Sequence, residues 1–165
     1  MPQATLPEIT AATPDDVPLI LALIRELADF EKLSHQVIAT EAILQESLFA
    51  PGAVASALIA RVAGEPAGFA LYFFNFSTFV GRRGLYLEDL FVRPAFRGRA
   101  IGKQLLRHLA RVALTHDCGR FDWAVLDWNS SARRFYESLG AEAHPDWITY
   151  RLSGAALQRL AAADD

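Results

Sequence analysis

Apolar positions along the chain recur at two spacings, every second residue or every third to fourth, and each change of spacing marks a new element. Residues 9–12 predict a short first strand. Thr13-Pro14-Asp15-Asp16 then has the make-up of a helix start, with Thr as N-cap, Pro in the first turn and acids beside it. Val17, Ile20, Leu21, Ile24, Leu27 and Ala28 follow at helical spacing, predicting a helix with one face on a sheet. A second helix is expected over residues 40–49, closed by Pro51-Gly52. Residues 53–63 and 67–76 read as two strands joined by a turn at Gly64-Glu65-Pro66. After a turn over residues 81–84, residues 85–92 form an apolar strand interrupted by Glu88 and Asp89. Ile101, Leu105, Leu106, Leu109, Val112 and Ala113 predict the next helix, residues 120–126 a strand, and residues 129–139 a helix stopped at Gly140. A final strand over residues 147–152 and a short helix end the pattern. Repeats and low-complexity linkers are absent. The fold class expected is α/β or α+β, a central sheet flanked by helices, in one domain over residues 1–165.

Composition narrows this only in places. A chain of 165 residues with 52% hydrophobic and 21% charged residues has enough apolar surface for a folded core, which excludes disorder as its main state. The net charge of -3 argues against a general nucleic-acid binder. Cys118 stands alone, so an internal disulfide framework is excluded and a reducing, cytoplasmic setting is expected. The opening MPQATLPEIT lacks a basic region followed by an apolar run, so no secretory leader is expected, and no apolar stretch approaches about 18 residues.

The chemistry concentrates in residues 85–104. The acidic strand passes Pro94 into the turn Arg97-Gly98-Arg99-Ala100-Ile101-Gly102, which opens directly into an amphipathic helix. Such a helix end presents unpaired N–H groups and the positive end of the dipole, and glycine lets the backbone approach closely, so the turn reads as a phosphate cradle. It is neither a Walker A loop nor a dinucleotide fingerprint.

The blocks LADFEK, YLEDLFV, RGRAIG and WNSSARRFYESLGA, in this order, resemble the GNAT family of acetyl-CoA-dependent N-acetyltransferases. More narrowly they resemble its spermidine/spermine (diamine) and thialysine N-acetyltransferase branch. The resemblance runs over residues 9–152. It implies a mixed, mostly antiparallel central sheet that splays at the acetyl-CoA site, beside a bulge in the acidic strand. The pantetheine arm would pair with the backbone of Leu90, Phe91 and Val92, where an N–H could also hold the oxyanion. Pyrophosphate would sit on Arg97, Gly98, Arg99, Ala100, Ile101, Gly102 and Lys103, and Asn129, Ser131, Ala132 and Tyr136 would touch the cofactor from the following helix. Ala100 replaces a family glycine; alanine is expected there in a helical backbone, so that the cradle survives with less room for a close phosphate approach. The resemblance also implies a homodimer, which Phe73, Phe74, Phe76, Phe79 and Trp147 would suit.

Moving acetyl from sulfur to an amine needs a neutral amine and a protonated leaving thiolate. With a pKa near 10.4, only roughly one lysine-like amine in a thousand is neutral at pH 7, so a general base has work to do. Glu88 is the candidate base, and Tyr136, whose family counterpart has that role, is the candidate acid. Phe30, Glu31, Glu88, Asp89, Asp122 and Trp123 are candidates for binding the acceptor, with Glu31 helping to hold its ammonium. Bland readings stand beside these. Strand alternation lets at most one of Glu88 and Asp89 face a given cleft. Tyr136 on an amphipathic helix is commonly a core aromatic, the arginines of the turn commonly solvated, and Asn129 commonly a plain N-cap. His116 and Cys118 have no further ligands near them in sequence, so no metal is expected.

Polyamine acetyltransferases tend to carry an acid in the loop before the acidic strand. Here that loop has none and carries Arg82 and Arg83, which could accept the carboxylate of an amino acid. The expected acceptor is therefore a small primary amine, either a lysine- or thialysine-like amino acid or a diamine or polyamine. The alternatives are a protein amine and a non-catalytic acyl-CoA sensor. Retention of Glu88, Asn129 and Tyr136 together argues against the sensor.

Overall fold

The computed structural model describes residues 6–162. They divide into two compact units, one ending at Ala124 and one beginning at Val125. The first carries a five-stranded sheet in sequential order: β1 (Glu8–Ala11), β2 (Ser56–Val62), β3 (Glu65–Ser77), β4 (Arg82–Val92) and β5 (Phe121–Trp123). The first four are antiparallel neighbours and β5 joins β4 in parallel. Helices α1 (Val17–Phe30), α2 (Glu41–Phe49) and α3 (Ile101–Thr115) cover it.

The helix starts follow from local chemistry. Asp16 accepts from the Thr13 backbone N–H at 2.8 Å and from its hydroxyl at 3.1 Å, so residues 14–16 form a single 3-10 turn that leads into α1. Arg61 of β2 pairs with Asp16 and ties that start to the sheet. Thr40 accepts from the Ile43 N–H and caps α2.

Each sheet face has its own helices. Ile20, Leu23 and Leu27 of α1, with Leu44 and Leu48 of α2, pack on Ala57, Ile59, Phe69 and Phe91. On the other side α3 lies across β1 to β4 and buries Ile101, Leu105 and Leu109.

Three junctions differ from the sequence expectation. The β2–β3 turn is the pair Ala63-Gly64, with φ of 51° and 83°, the tight geometry that matches strand twist. Glu65 and Pro66 already belong to β3, and Pro66 is tolerated there because the register shifts beside it, between Ala60 and Arg61. The β3–β4 turn falls before Arg82, closed by the Gly81 N–H to the Ser77 carbonyl at 2.8 Å, so Arg82 and Arg83 lie within β4. The strand after α3 has three residues, not seven.

The second unit contains α4 (Ser130–Glu137) and α5 (Gly154–Ala161). The strand expected over residues 147–152 is not formed. Trp147, Ile148 and Tyr150 stand exposed there, and an alternating pattern becomes a strand only when a neighbouring backbone pairs with it.

Candidate active site

The phosphate cradle begins where β4 ends. Residues 94–96 make one 3-10 turn, Gly98 turns with φ of 76°, and Ala100 is the N-cap of α3 with φ of 58° and ψ of 14°. The helical backbone expected at Ala100 is thus corrected: the position is left-handed, which favours glycine because a Cβ crowds the following carbonyl. No side chain caps α3. Its first intrahelical bond runs from the Gln104 N–H to the Ala100 carbonyl, so the N–H groups of Ile101, Gly102 and Lys103 precede the helical ladder. Three such donors at the end of a 15-residue helix, with Arg99 and Lys103 beside them, fit a phosphate-bearing group. Arg97 is turned elsewhere. Its Nε donates to the Val92 carbonyl at 2.9 Å, and its guanidinium lies 4.8 Å from the Phe30 ring centre and 5.7 Å from that of Phe91.

Upstream of the cradle, β4 leaves its parallel neighbour. The β4–β5 register covers Leu85↔Phe121, Tyr86↔Asp122 and Leu87↔Trp123, whereas β4 runs on to Val92 against β3. The bond from the Arg93 N–H to the Ala67 carbonyl, 2.9 Å, sets the phase of that antiparallel pairing. Phe91 therefore exchanges its bonds with β3, and Leu90 and Val92 direct their backbone groups to the opposite edge. Of the three residues expected along a pantetheine arm, these two have the suitable orientation.

A bulge sits at the point of departure. Leu71 opposes Asp89 and Tyr72 opposes Leu87, which leaves Glu88 as the extra residue of β4. The bulge reverses the pleat. Leu85 and Leu87 share a face with Phe74 and Tyr72, whereas Asp89 and Phe91 share the α1 face with Leu71 and Phe69. Asp89 thereby points to the side where α1 ends in Phe30 and Glu31. Burial first, then the charges of Glu88 and Glu31, push the Asp89 carboxyl up to about 6. Burial also raises Glu31. The strict alternation expected of Glu88 and Asp89 does not hold across a bulge; Glu88 is exposed, Asp89 half-buried, and the two share one electrostatic cluster with Glu31.

Tyr86, which the sequence pattern gives no role, stands near Glu88 and Asp122. It lies on the Asp89 face, its ring 5.1 Å from that of Phe73, opposite Asp122. Burial, with Glu88 and Asp122 nearby, holds its phenol above the ordinary value and hence protonated. Its motif offers no sequence signal for this; the bulge creates the placement. Trp123 packs edge-on against Phe121 at 5.0 Å, and Asp122 is bound to Arg120 at 2.7 Å. Arg83 is not beside the acids, and Arg82, on the Tyr86 face, lies four residues before Tyr86, about 13 Å along β4. Arg83 lies over Phe74 on the α3 face, where His116 also stacks.

In the second unit Asn129 is the N-cap of α4, accepting from the Ala132 N–H at 3.1 Å. Ser131 and Ala132 lie in its first turn, and Tyr136 in its last, 5.5 Å from Phe135.

Residues 21–141 match the family model described as Acetyltransferase (GNAT) family. The chain belongs to the GNAT acetyltransferase family. Among its relatives, the thialysine N-epsilon-acetyltransferase of Mus musculus is 39% identical, over 93% of this chain and 96% of that protein. The L-ornithine N5-acetyltransferase NATA1 of Arabidopsis thaliana is 32% identical, over 92% of this chain and 86% of that protein. An integron cassette protein from the mobile metagenome of V. cholerae superposes with a TM-score of 0.80 at 30% identity, covering 95% of this chain and 98% of its own. Membership in the GNAT family makes this an acetyltransferase and implies acetyl-CoA as its co-substrate. It also fits the sheet, mostly antiparallel with helices on both faces. No described helix is long and apolar enough to cross a membrane, and no group of metal-ligating side chains occurs among the described residues.

Proposed function

We propose that this protein N-acetylates the distal primary amine of a small lysine-like amino acid, of the thialysine or ornithine kind, by direct transfer from acetyl-CoA. The observation that carries this reading is the Glu31–Glu88–Asp89 cluster on the bulge where β4 leaves β5, one short turn from the cradle. The relatives named for thialysine and ornithine support the choice of an amino acid.

Bound acetyl-CoA supplies an acetyl thioester. The N–H groups of Ile101, Gly102 and Lys103 bind its phosphates, with Gly98, Arg99 and Ala100 shaping the turn. Leu90 and Val92 pair with its arm, and Arg97 holds the ends of α1 and β4 together beneath it. Asp89 and Glu31 bind the acceptor ammonium, and Glu88 takes the proton that makes the amine neutral. Tyr136 gives a proton to the departing sulfur, and Asn129, Ser131 and Ala132 contact the cofactor. The reading further includes one catalytic domain over residues 1–165, a cytoplasmic setting and a homodimer. The exposed Phe76, Phe79 and Trp147 support burial against a second copy.

The test is release of CoA thiol from acetyl-CoA with lysine, thialysine, ornithine, putrescine, spermidine and a lysine peptide. Rapid release with an amino acid is expected; release with the peptide alone would overturn the reading.

A further inference from the structure

An ion pair lies on the acidic face beside the carboxylate cluster. Arg120 Nε and Asp122 Oδ2 are 2.7 Å apart, both side chains about two-fifths exposed. They precede and lie within β5, two residues apart, so they share one side of the sheet. Asp122 opposes Tyr86, which faces the same way as Asp89 because of the bulge. The Arg120 stem crosses β4 at Gly84. A Cβ there would stand 3.0 Å from Arg120 Cγ and 3.3 Å from its Nε, so the absence of a side chain at Gly84 lets the arginine lie close to the strand.

An exposed ion pair contributes little to stability. As a recognition element it has a definite complement. A guanidinium with free Nη donors takes a carboxylate bidentately, and the second oxygen of the neighbouring aspartate takes an ammonium. A group carrying both charges on adjacent atoms is the head of an α-amino acid. The spacing agrees. From Asp122 to Asp89 the path is one strand across, about 4.8 Å, and two pleat steps along, about 7 Å. These offsets are perpendicular and leave about 8.5 Å between the two positions. An extended chain of five bonds, the Cα-to-Nζ reach of lysine, spans roughly 6 Å, and with a hydrogen bond of about 2.8 Å at each end it reaches both without full extension. Arg83 cannot take this role, since it lies on the opposite face and about 16 Å of strand from Glu88.

We propose that Arg120 and Asp122 are the specificity determinants of this enzyme, reading the carboxylate and α-ammonium of the acceptor while its distal amine lies at Glu88 and Asp89. The proposal rests on the amino-acid reading above and adds the residues that exclude diamines, whose lack of a carboxylate leaves Arg120 facing a cation.

The experiment compares lysine with cadaverine, its decarboxylated form, in the wild type, Arg120→Gln and Asp122→Asn. The ratio of kcat/KM for lysine to that for cadaverine should fall at least about tenfold in Arg120→Gln, the loss expected for a charge-assisted bond, whereas Asp122→Asn should lower kcat/KM for both amines, since each keeps the ammonium that Asp122 reads. An unchanged KM for acetyl-CoA shows that each variant is folded. An unchanged ratio in Arg120→Gln, an unchanged kcat/KM for both amines in Asp122→Asn, or a wild type that prefers cadaverine overturns the proposal. If neither amine releases thiol, the acetyl-transfer reading fails by itself. Calorimetry of lysine with the CoA-bound protein then decides the present one: binding lost in Arg120→Gln supports it, and no binding by the wild type overturns it.

Discussion

A carboxyl pushed to about 6 by burial and two neighbouring carboxylates costs folding energy once it ionises. The folded value of Asp89 lies above its ordinary 3.8, so between about pH 4 and 6 the folded state binds the proton more tightly than the unfolded chain does. Stability therefore falls as pH rises through that window. Asp89→Asn should raise unfolding free energy by about 1–3 kcal/mol at pH 8 and change little at pH 4. Urea denaturation at the two pH values checks this, and an equal effect at both would remove the electrostatic account. The same titration makes acceptor binding pH-dependent. A cation is attracted once Asp89 ionises, so KM for the amine should rise as pH drops below 6. Ala100 is a second local cost. Ala100→Gly should stabilise by about 0.5–1 kcal/mol, because glycine enters the left-handed region freely; destabilisation in a thermal melt would contradict the observed φ. Sequence showed the residue types of the site but not these environments. Whether alanine sits in a helical or a left-handed backbone, and whether Asp89 is buried, depends on what packs around it.

At the level of the element, spacing was a good guide where a segment carries its own signal. The capped helices α1 and α2 and the apolar stripe of α3 were legible to within a few residues. Pairing was not legible. The bulge at Glu88, the turn at Ala63-Gly64 and the short β5 depend on which backbone lies alongside, and residues 147–152 carry a strand pattern without a ladder. The bulge is the largest of these omissions, because it turns Asp89 towards Glu31 and brings Tyr86 into the site. Glu88→Gln should lower turnover most at low pH, where the neutral amine is scarcest; a uniform loss across pH would indicate positioning in place of proton transfer. Gly84→Ala should destabilise by about 1–3 kcal/mol, since its Cβ would meet the buried Asn75 Oδ1 at 2.3 Å. A melting temperature equal to the wild type would show that the neighbours give way.

Over the whole molecule a net charge of -3 conceals a strong local separation. Cationic groups and helix N–H donors gather at the start of α3, beyond the C-terminal end of β4, and carboxylates at the bulge within β4, so a phosphate-bearing donor and an ammonium-bearing acceptor are drawn to different points along one strand. Family membership was legible from four short blocks because they coincide with the functional turns, and the acceptor was not, since it depends on side chains brought together across strands. Tyr136→Phe should leave acetyl-CoA binding nearly intact and lower turnover; unchanged turnover would remove Tyr136 from the mechanism. The most direct measurement is the regiochemistry of the product. Lysine and acetyl-CoA should yield a single monoacetyl product carrying the group on the distal nitrogen, as read by fragmentation in the mass spectrometer. Acetyl on the α-nitrogen, or no acetyl-lysine at all, would contradict the account.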